Sequence, residues 1–414
     1  MSTIPPTTPI QNTSMVKPYS FDHAFPVDHF VTKYIQYAAT CSEAAHDYHE
    51  AAALVLLAMA TPGLSIKLKL FTSGGLSTGL RTNLYALIIG EATTSKRSTA
   101  RRFLSDVATA AWPPSPGAVF DRVIQGKMTP DALIQDLGSR PPHTATLLSY
   151  DEYGPTLRAM HTKPYMADLS DIKLQMYDNV SVWKSKTKTA GNATINYPHL
   201  NVFACAAYSI FDKRFGASRT EDVDSGLLIR FGIVMPDSKP GYMSPFDETP
   251  PPFPIRDLVT QLQGVLSTGD ITFDPAAQRL IEDFDRGKKP DTPLIGRSMG
   301  MVLKISAASA ASRGVATVSA VDAESAIKVL QLRWMPGAKR FDDRIGESEM
   351  QRVIARIKTF IDKHGGVVGQ TDIYRHTGLN SREVGLVRET MEQSGLVKMG
   401  KLPNGALAWE KLQW

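Results

Sequence analysis

Cysteine is nearly absent: the 414-residue chain has two, Cys41 and Cys205. They lie far apart and have no CxxC or Cys/His partner spacing, so neither a disulfide framework nor a structural zinc site is indicated. Both are expected as buried thiols in a reducing compartment. Long apolar runs are also missing. The longest, residues 51–60, is too short to span a bilayer and ends at Thr61-Pro62-Gly63, so it reads as a buried helix and no membrane partner is expected. The N-terminus has no basic segment followed by an apolar core, which argues against a secretory signal and for a loose polar arm on a cytoplasmic protein. Charged residues reach only 21% and aromatics 8% against 43% hydrophobic, values that exclude disordered and fibrous classes. A net charge of +5 and a pI near 9.0 suit a polyanionic partner without requiring one.

The length predicts two or three structural units. Residues 1–26 read as a flexible arm and 27–74 as an N-terminal helical bundle, with Phe30, Tyr34, Tyr37 and Ala38 at helical spacing. Between residues 75 and 240 the pattern changes to short apolar runs at 84–89, 146–150, 200–207 and 227–235, separated by helical or loop segments. That is the signature of an α/β core with a buried, mainly parallel sheet. A proline-rich passage over 236–254 opens a linker and helical lid, residues 241–345. Residues 346–414 form a further unit. A helix over 350–363, a segment ending at Gly378, a helix capped by Asn380 or Ser381, and two strands around Pro403-Asn404-Gly405 together predict a winged helix.

Two elements carry chemistry. The apolar run 84–89 ends in Gly90-Glu-Ala-Thr-Thr94-Ser95-Lys96-Arg97-Ser98-Thr99 and is followed by a helical pattern, the strand, turn and helix of a phosphate-binding loop. The loop departs from GxxxxGK[ST] in two places: Ser95 stands for the second glycine, and Arg97 separates Lys96 from Ser98. Two registers remain open. With Lys96 as the phosphate cation its distance from Gly90 is normal and the metal hydroxyl comes one residue late. With Arg97 in that role Ser98 is correctly placed and the loop is one residue longer. Lys96 is the expected cation, because an ammonium is the usual point charge at this place. About 55 residues on, Thr146-Leu-Leu-Ser-Tyr150-Asp151-Glu152 places an acidic pair after an apolar run. Asp151 suits a magnesium shell together with Ser98, and Glu152 suits activation of the attacking water.

With Asn83-Leu84-Tyr85 leading into the loop and Ser225-Gly-Leu-Leu-Ile-Arg230-Phe231 further on, these segments resemble the helicase-like P-loop ATPases (RecA/AAA type) of phage, plasmid and mobile-element replication proteins. The likeness runs from about residue 30 to 335. It implies ATP and Mg2+ as cofactors and a homo-oligomer, possibly a hexamer. It also implies that Arg230, in the late strand, reaches a neighbouring subunit's γ-phosphate, that Tyr208 and Ser209 stand where a polar phosphate sensor ends a strand, and that Arg297 is a lid arginine facing the nucleotide.

DNA-facing elements complete the expectation. Residues 182–195 alternate lysine with small polar residues and turn at Gly191-Asn192, a basic hairpin with Lys184, Lys186 and Lys188 on one face and Trp183 available for stacking. In the C-terminal unit Arg382 and Arg388 lie on the reading helix with Asn380 and Ser381, and Lys398 and Lys401 on the wing. The expected function is an ATP-dependent DNA helicase or translocase in replication of a mobile genetic element. The alternative is a DNA-binding replication initiator or scaffold with a degenerate, non-hydrolysing P-loop, and a third reading is a nucleotide-sensing transcription regulator.

Overall fold

The computed structural model describes residues 21–67, 79–91, 94–114, 121–126, 128–187, 191–208, 226–236, 250–288, 292–403 and 405–412. Helices α1 (Phe30–Ala38) and α2 (His46–Ala60) lead into β1 (Gly63–Ile66), β2 (Tyr85–Gly90), α3 (Arg97–Ala111), β3 (Val123–Gln125), α4 (Pro130–Gly138) and β4 (Ala145–Tyr150). Then follow α5 (Gly154–Thr162), α6 (Asp168–Tyr177), the hairpin β5 (Val182–Thr187) and β6 (Gly191–Asn196), β7 (His199–Ala207) and β8 (Phe231–Val234). The helical part comprises α7 (Ile255–Gln263), β9 (Thr268–Phe273), α8 (Pro275–Gly287), α9 (Ser298–Ser312), β10 (Thr317–Val318) and α10 (Ala320–Val329). The chain closes with α11 (Met335–Lys363), β11 (Val367–Gly369), α12 (Gln370–Thr377), α13 (Ser381–Gln393), β12 (Val397–Lys401) and β13 (Leu407–Lys411).

The central sheet is α/β in character, five parallel strands in the order β3-β4-β7-β2-β8. Every residue of β2, β4 and β7 is buried, because helices cover both faces, and this is why the sequence shows unbroken apolar runs there instead of alternation. One face carries α1, α2, α3, α7, α9 and α10 in a single apolar core, and the other carries α4, α5, α6, the hairpin and the start of α11 in a second. Helices α2 and α9 are buried almost all round, as expected of helices enclosed on every side.

A second parallel sheet, β1-β9-β10, joins residues 63–66 to 268–273 and 317–318. The segments expected as an N-terminal bundle and a helical lid therefore share one core and one sheet. Helix α11 starts at Met335, well before the expected residue 350, and follows a π-helical turn, Leu330–Trp334. Gly337 in its first turn lies so close to β8 that a Cβ would sit 2.2 Å from the Ile233 carbonyl oxygen, so only glycine lets the helix approach the sheet.

The C-terminal unit packs α11, α12 and α13 with a three-stranded antiparallel sheet, β11-β13-β12, around Ile361, Ile373, Val387, Met391 and Trp409. Asn380 and Glu383 cap α13 reciprocally, and Gly378 ends α12 in the left-handed region. Beyond the two expected strands, β11 pairs with β13 as a third. Among the described residues no helix is long and apolar enough to cross a membrane. Cys205 is buried as expected, whereas Cys41 is exposed, because it follows α1 in the turn before α2.

Candidate functional site

Strands β2 and β4 run in the same direction, so the loop after Gly90 and the pair Asp151-Glu152 come out at the same edge of the sheet, with β7 between them. The C-terminal edge is where open parallel sheets place ligands. Gly90 is required by a close approach: a Cβ there would lie 2.5 Å from the Tyr48 hydroxyl and 2.6 Å from Ser95 Cβ. The loop is braced from within. Ser95 Oγ donates to the Glu91 carbonyl at 2.6 Å, Thr94 Oγ1 to Glu91 Oε2 at 2.8 Å, and Tyr48 to the Ile89 carbonyl at 2.8 Å. Lys96 enters the helix with φ +54, a left-handed conformation that costs a non-glycine residue of order 1 kcal/mol. Local strain of that kind turns α3 sharply so that its N-terminus, with its free amides and positive dipole end, opens at the sheet edge.

Two arginines one helical turn apart fasten α3 to the acidic pair. Arg97 is 5% exposed; it donates through Nε to Ser95 Oγ at 3.0 Å and through Nη2 to Glu152 Oε1 at 3.2 Å. Arg101 donates through Nε to Asp151 Oδ1 at 3.2 Å and through Nη1 to Ser149 Oγ at 3.3 Å and Gln125 Oε1 at 3.4 Å. Lys96 points elsewhere, 2.8 Å from Glu43 Oε2, and is 45% exposed. Ser98 is exposed and Thr99 half-buried. A cavity of about 420 Å³ opens beside the pair, lined by Arg101, Gln125, Gly126, Ser149, Tyr150, Asp151, Glu152, Pro155 and Thr156.

This arrangement fits a polyphosphate better than a bare metal. Arg97 Nη1 is buried without an acceptor among the described residues, and Lys96 is free to swing from an exposed ion pair. Among the described residues no group of three His, Cys, Asp or Glu side chains converges on a metal position. Magnesium does not need one, since it is commonly held by one or two carboxylates, a hydroxyl and the phosphates themselves.

Arg101 was not legible as a site residue, although its position four after Arg97 puts both on one helix face. Lys173 was missed too. It is fully buried behind the acidic pair, donates to the Tyr153 hydroxyl at 3.2 Å, and lies 4.7 and 4.8 Å from the ring centres of Tyr150 and Tyr153. Burial without a carboxylate partner lowers its pKa to about 7.

The remaining candidates lie away from the loop. Arg230 is not at the end of a strand: it closes the 3-10 turn Leu228–Arg230 just before β8, and Phe231 pairs in register with Tyr85, the first residue of β2. Six residues of strand, roughly 20 Å, separate it from Gly90 of its own chain. Arg230 forms a bidentate pair with Asp178 and donates to the Gly226 carbonyl at 2.7 Å. Arg297 joins the same carboxylate at 3.8 Å, so it faces the edge of the sheet opposite the loop after Gly90 of its own chain. Lys304, buried beneath them, donates to the Asn83 carbonyl and side chain at 3.0 Å and to the Tyr177 carbonyl at 3.3 Å. Tyr208 follows β7 at the loop edge and packs against the second core, while Ser209 lies outside the described residues.

The hairpin exists, with Lys184 paired to Thr194 and Lys186 to Asn192. Gly191 and Asn192 begin its second strand instead of forming its turn, and Lys188 lies outside the described residues. Lys184 is exposed. Trp183 packs against the second core opposite Ile195 and is an anchor of the hairpin, not a free stacking platform. On α13 Arg382 is exposed and Arg388 lies 3.8 Å from Glu392, while on β12 Lys398 pairs with Glu410 at 2.7 Å and Lys401 is exposed.

No family model matches the chain, and none of the curated proteins compared with it does. The candidate site therefore stands on its own geometry.

Proposed function

We propose that the chain is a cytoplasmic, magnesium-dependent ATPase that works on DNA in the replication of a mobile genetic element, with residues 90–99 as its P-loop and the C-terminal unit as a DNA-binding winged helix. One observation carries this reading: Arg97 and Arg101 join the glycine loop to an acidic pair about 55 residues away, at the ligand-bearing edge of a parallel sheet. Lys96, Arg97 and the amides of α3 would receive the β- and γ-phosphates, with Thr94, Ser95 and Thr99 shaping the cradle. Ser98 and Asp151 would hold the magnesium ion, which when bound neutralises charge on the phosphates. Glu152, once released from Arg97, accepts a proton from the attacking water. Arg230 and Arg297 can meet a nucleotide only across an interface, which fits a homo-oligomer such as a hexamer.

Glu152→Gln is the direct test, since it keeps the hydrogen bond from Arg97 and removes the base. Phosphate release from Mg-ATP is expected to fall by about 100-fold or more while ATP binding persists. Unchanged turnover would remove Glu152 from the chemistry. A second reading, a DNA-binding initiator that holds nucleotide without hydrolysis, draws on the fact that both carboxylates of the pair are already engaged by arginine. It predicts ATP binding with no turnover in the wild type.

The hairpin separates the readings further. Replacing Lys184, Lys186 and Lys188 with alanine in a translocating ring should weaken binding to every DNA sequence and lower the salt dependence of log Kd by about 2, since each lost phosphate contact removes roughly 0.7 of slope on single strands. In a site-specific initiator the triple variant is silent, and Arg382→Ala or Arg388→Ala relaxes specificity at particular bases.

A further inference from the structure

Beside the acid-lined cavity lies a second one of about 390 Å³ along α5, and the two share Pro155 and Thr156 as a common wall. Its walls are apolar, with Met128, Ala159 and Met166, and its rim is cationic and aromatic, with Arg158, Lys163 and Tyr165. No carboxylate is among the described residues that line it. Tyr165 is 61% exposed, unusual for so large a ring, and the Lys163 ammonium sits 5.7 Å from its centre.

We propose that this trough binds single-stranded nucleic acid, one base seated against the apolar wall and stacked on Tyr165, with Arg158 and Lys163 on the flanking phosphates. The charge and the shape select this occupant together. An apolar peptide would fill the walls but leave two cations without partners, whereas a polynucleotide supplies a flat apolar ring and an anion on either side of it. The position has a consequence for turnover. Helix α5 begins at Gly154, two residues after Glu152, and Pro155 in its first turn belongs to both cavities. A base that presses on this turn acts on the segment that carries the acidic pair, a short route from DNA occupancy to the chemistry.

The inference rests on the DNA-binding reading above, and its test is made without nucleotide so that it stands whether or not ATP is hydrolysed. Binding of a fluorescein-labelled oligo(dT) to the full chain is followed by anisotropy for the wild type, Tyr165→Ala and the double variant Arg158→Ala/Lys163→Ala. Loss of one stacked base should raise Kd by about tenfold in Tyr165→Ala, with little change in its salt slope. The double variant should raise Kd and reduce the slope by about 1.4. In parallel, oligo(dT) carrying one 5-iodouracil is photocrosslinked to the wild type, and the modified peptide is expected to contain Tyr165. The crosslink decides the matter if a variant fails to fold. Wild-type affinity in both variants, or a crosslink only in residues 182–196 or in the C-terminal unit, overturns the trough and leaves DNA binding standing. Failure of the wild type to bind oligo(dT) at all overturns the trough and the translocating-ring reading together, and failure to bind duplex DNA as well overturns the DNA reading. A raised Kd for ATP with unchanged oligo(dT) affinity would assign the trough to the nucleotide itself.

Discussion

Arg97→Ala is expected to lose both nucleotide affinity and fold stability, whereas Lys96→Ala loses affinity alone. The two cations are neighbours in sequence with opposite settings. The Arg97 guanidinium is 5% exposed and ties three pieces of backbone together, the loop through Ser95, the acidic turn through Glu152, and α3 to which it belongs. Its removal leaves a void and strips Ser95 and Glu152 of their donor, a loss of about 2 kcal/mol by the usual scale for such sites. Lys96 makes one ion pair with Glu43, half in solvent, worth about 0–1 kcal/mol. Each should cost about tenfold or more in ATP affinity, because each removes a charge-assisted contact to phosphate. Urea unfolding without nucleotide, set beside ATP binding by fluorescence, separates the two effects. If Arg97→Ala is as stable as wild type and binds no ATP while Lys96→Ala binds normally, Arg97 is the phosphate cation and the loop is one residue longer than the common form.

The parts of the fold readable from sequence are those whose cause is local. The strands of the central sheet are apolar from end to end because both of their faces are covered, and the helix over residues 51–60 is apolar all round because α9 and the sheet enclose it. Asn380 with Glu383, and Gly378, announce helix ends by their own chemistry. The small sheet β1-β9-β10 was illegible for the converse reason. β9 has one fully buried residue, Ile271, and its partners are far away in the chain, so neither alternation nor spacing marks it.

The same division runs through the candidate site. Gly90 and the acidic pair were visible as punctuation after apolar runs, and the parallel sheet brings them together. What the sequence could not show is which side chains occupy the carboxylates. Arg101 becomes a site residue only because β4 ends beside the first turns of α3. Arg230 shows the opposite case. The run Leu227 to Val234 is apolar enough to read as one strand, but Gly226 at φ +78 and the pair of Arg230 with Asp178 fold its first part into a 3-10 turn. The strand proper then begins at Phe231, level with the first residue of β2, which leaves the arginine at the edge of the sheet opposite Gly90.

Acidification is expected to unfold the α2-centred layer well before carboxylates in general are neutralised. His29, His49 and His199 are buried and held neutral, their pKa values lowered by burial to about 4, 3 and 3. Each has a structural bond to the helical layer: His29 with Ser309 and Ser312 of α9, His49 with Ser42, and His199 with the Ala58 carbonyl of α2 at 2.7 Å. Above pH 6.5 these groups are neutral whether the chain is folded or not, and stability does not depend on them. Below 6.5 the unfolded chain takes up three protons that the folded chain refuses until pH 3 to 4, so stability falls by about 1.4 kcal/mol per group per pH unit. Glu50 works against this. Burial raises its pKa to about 8 despite the nearby Arg333, so between pH 8 and 4.5 the folded state holds a proton that the unfolded state lacks, and its contribution grows as pH falls. Asp47, also raised by burial, adds to that opposing trend at lower pH. The three deeply buried histidines against one glutamate leave a net loss of about 3 kcal/mol per pH unit, or about 4 kcal/mol between pH 6 and 4.5, and His46 and His23, also lowered by burial, act in the same direction; that is a large share of the 5 to 15 kcal/mol that holds a typical domain together. The urea midpoint followed by circular dichroism should therefore drop steeply over that range. His49→Phe, which keeps an aromatic ring beside Tyr34 and Phe103, should remove about a third of the histidine contribution and make the slope shallower. A midpoint that stays level from pH 6.5 to 4.5 would show that the three imidazoles take up their protons inside the fold, and that the helical layer opens to water at no cost.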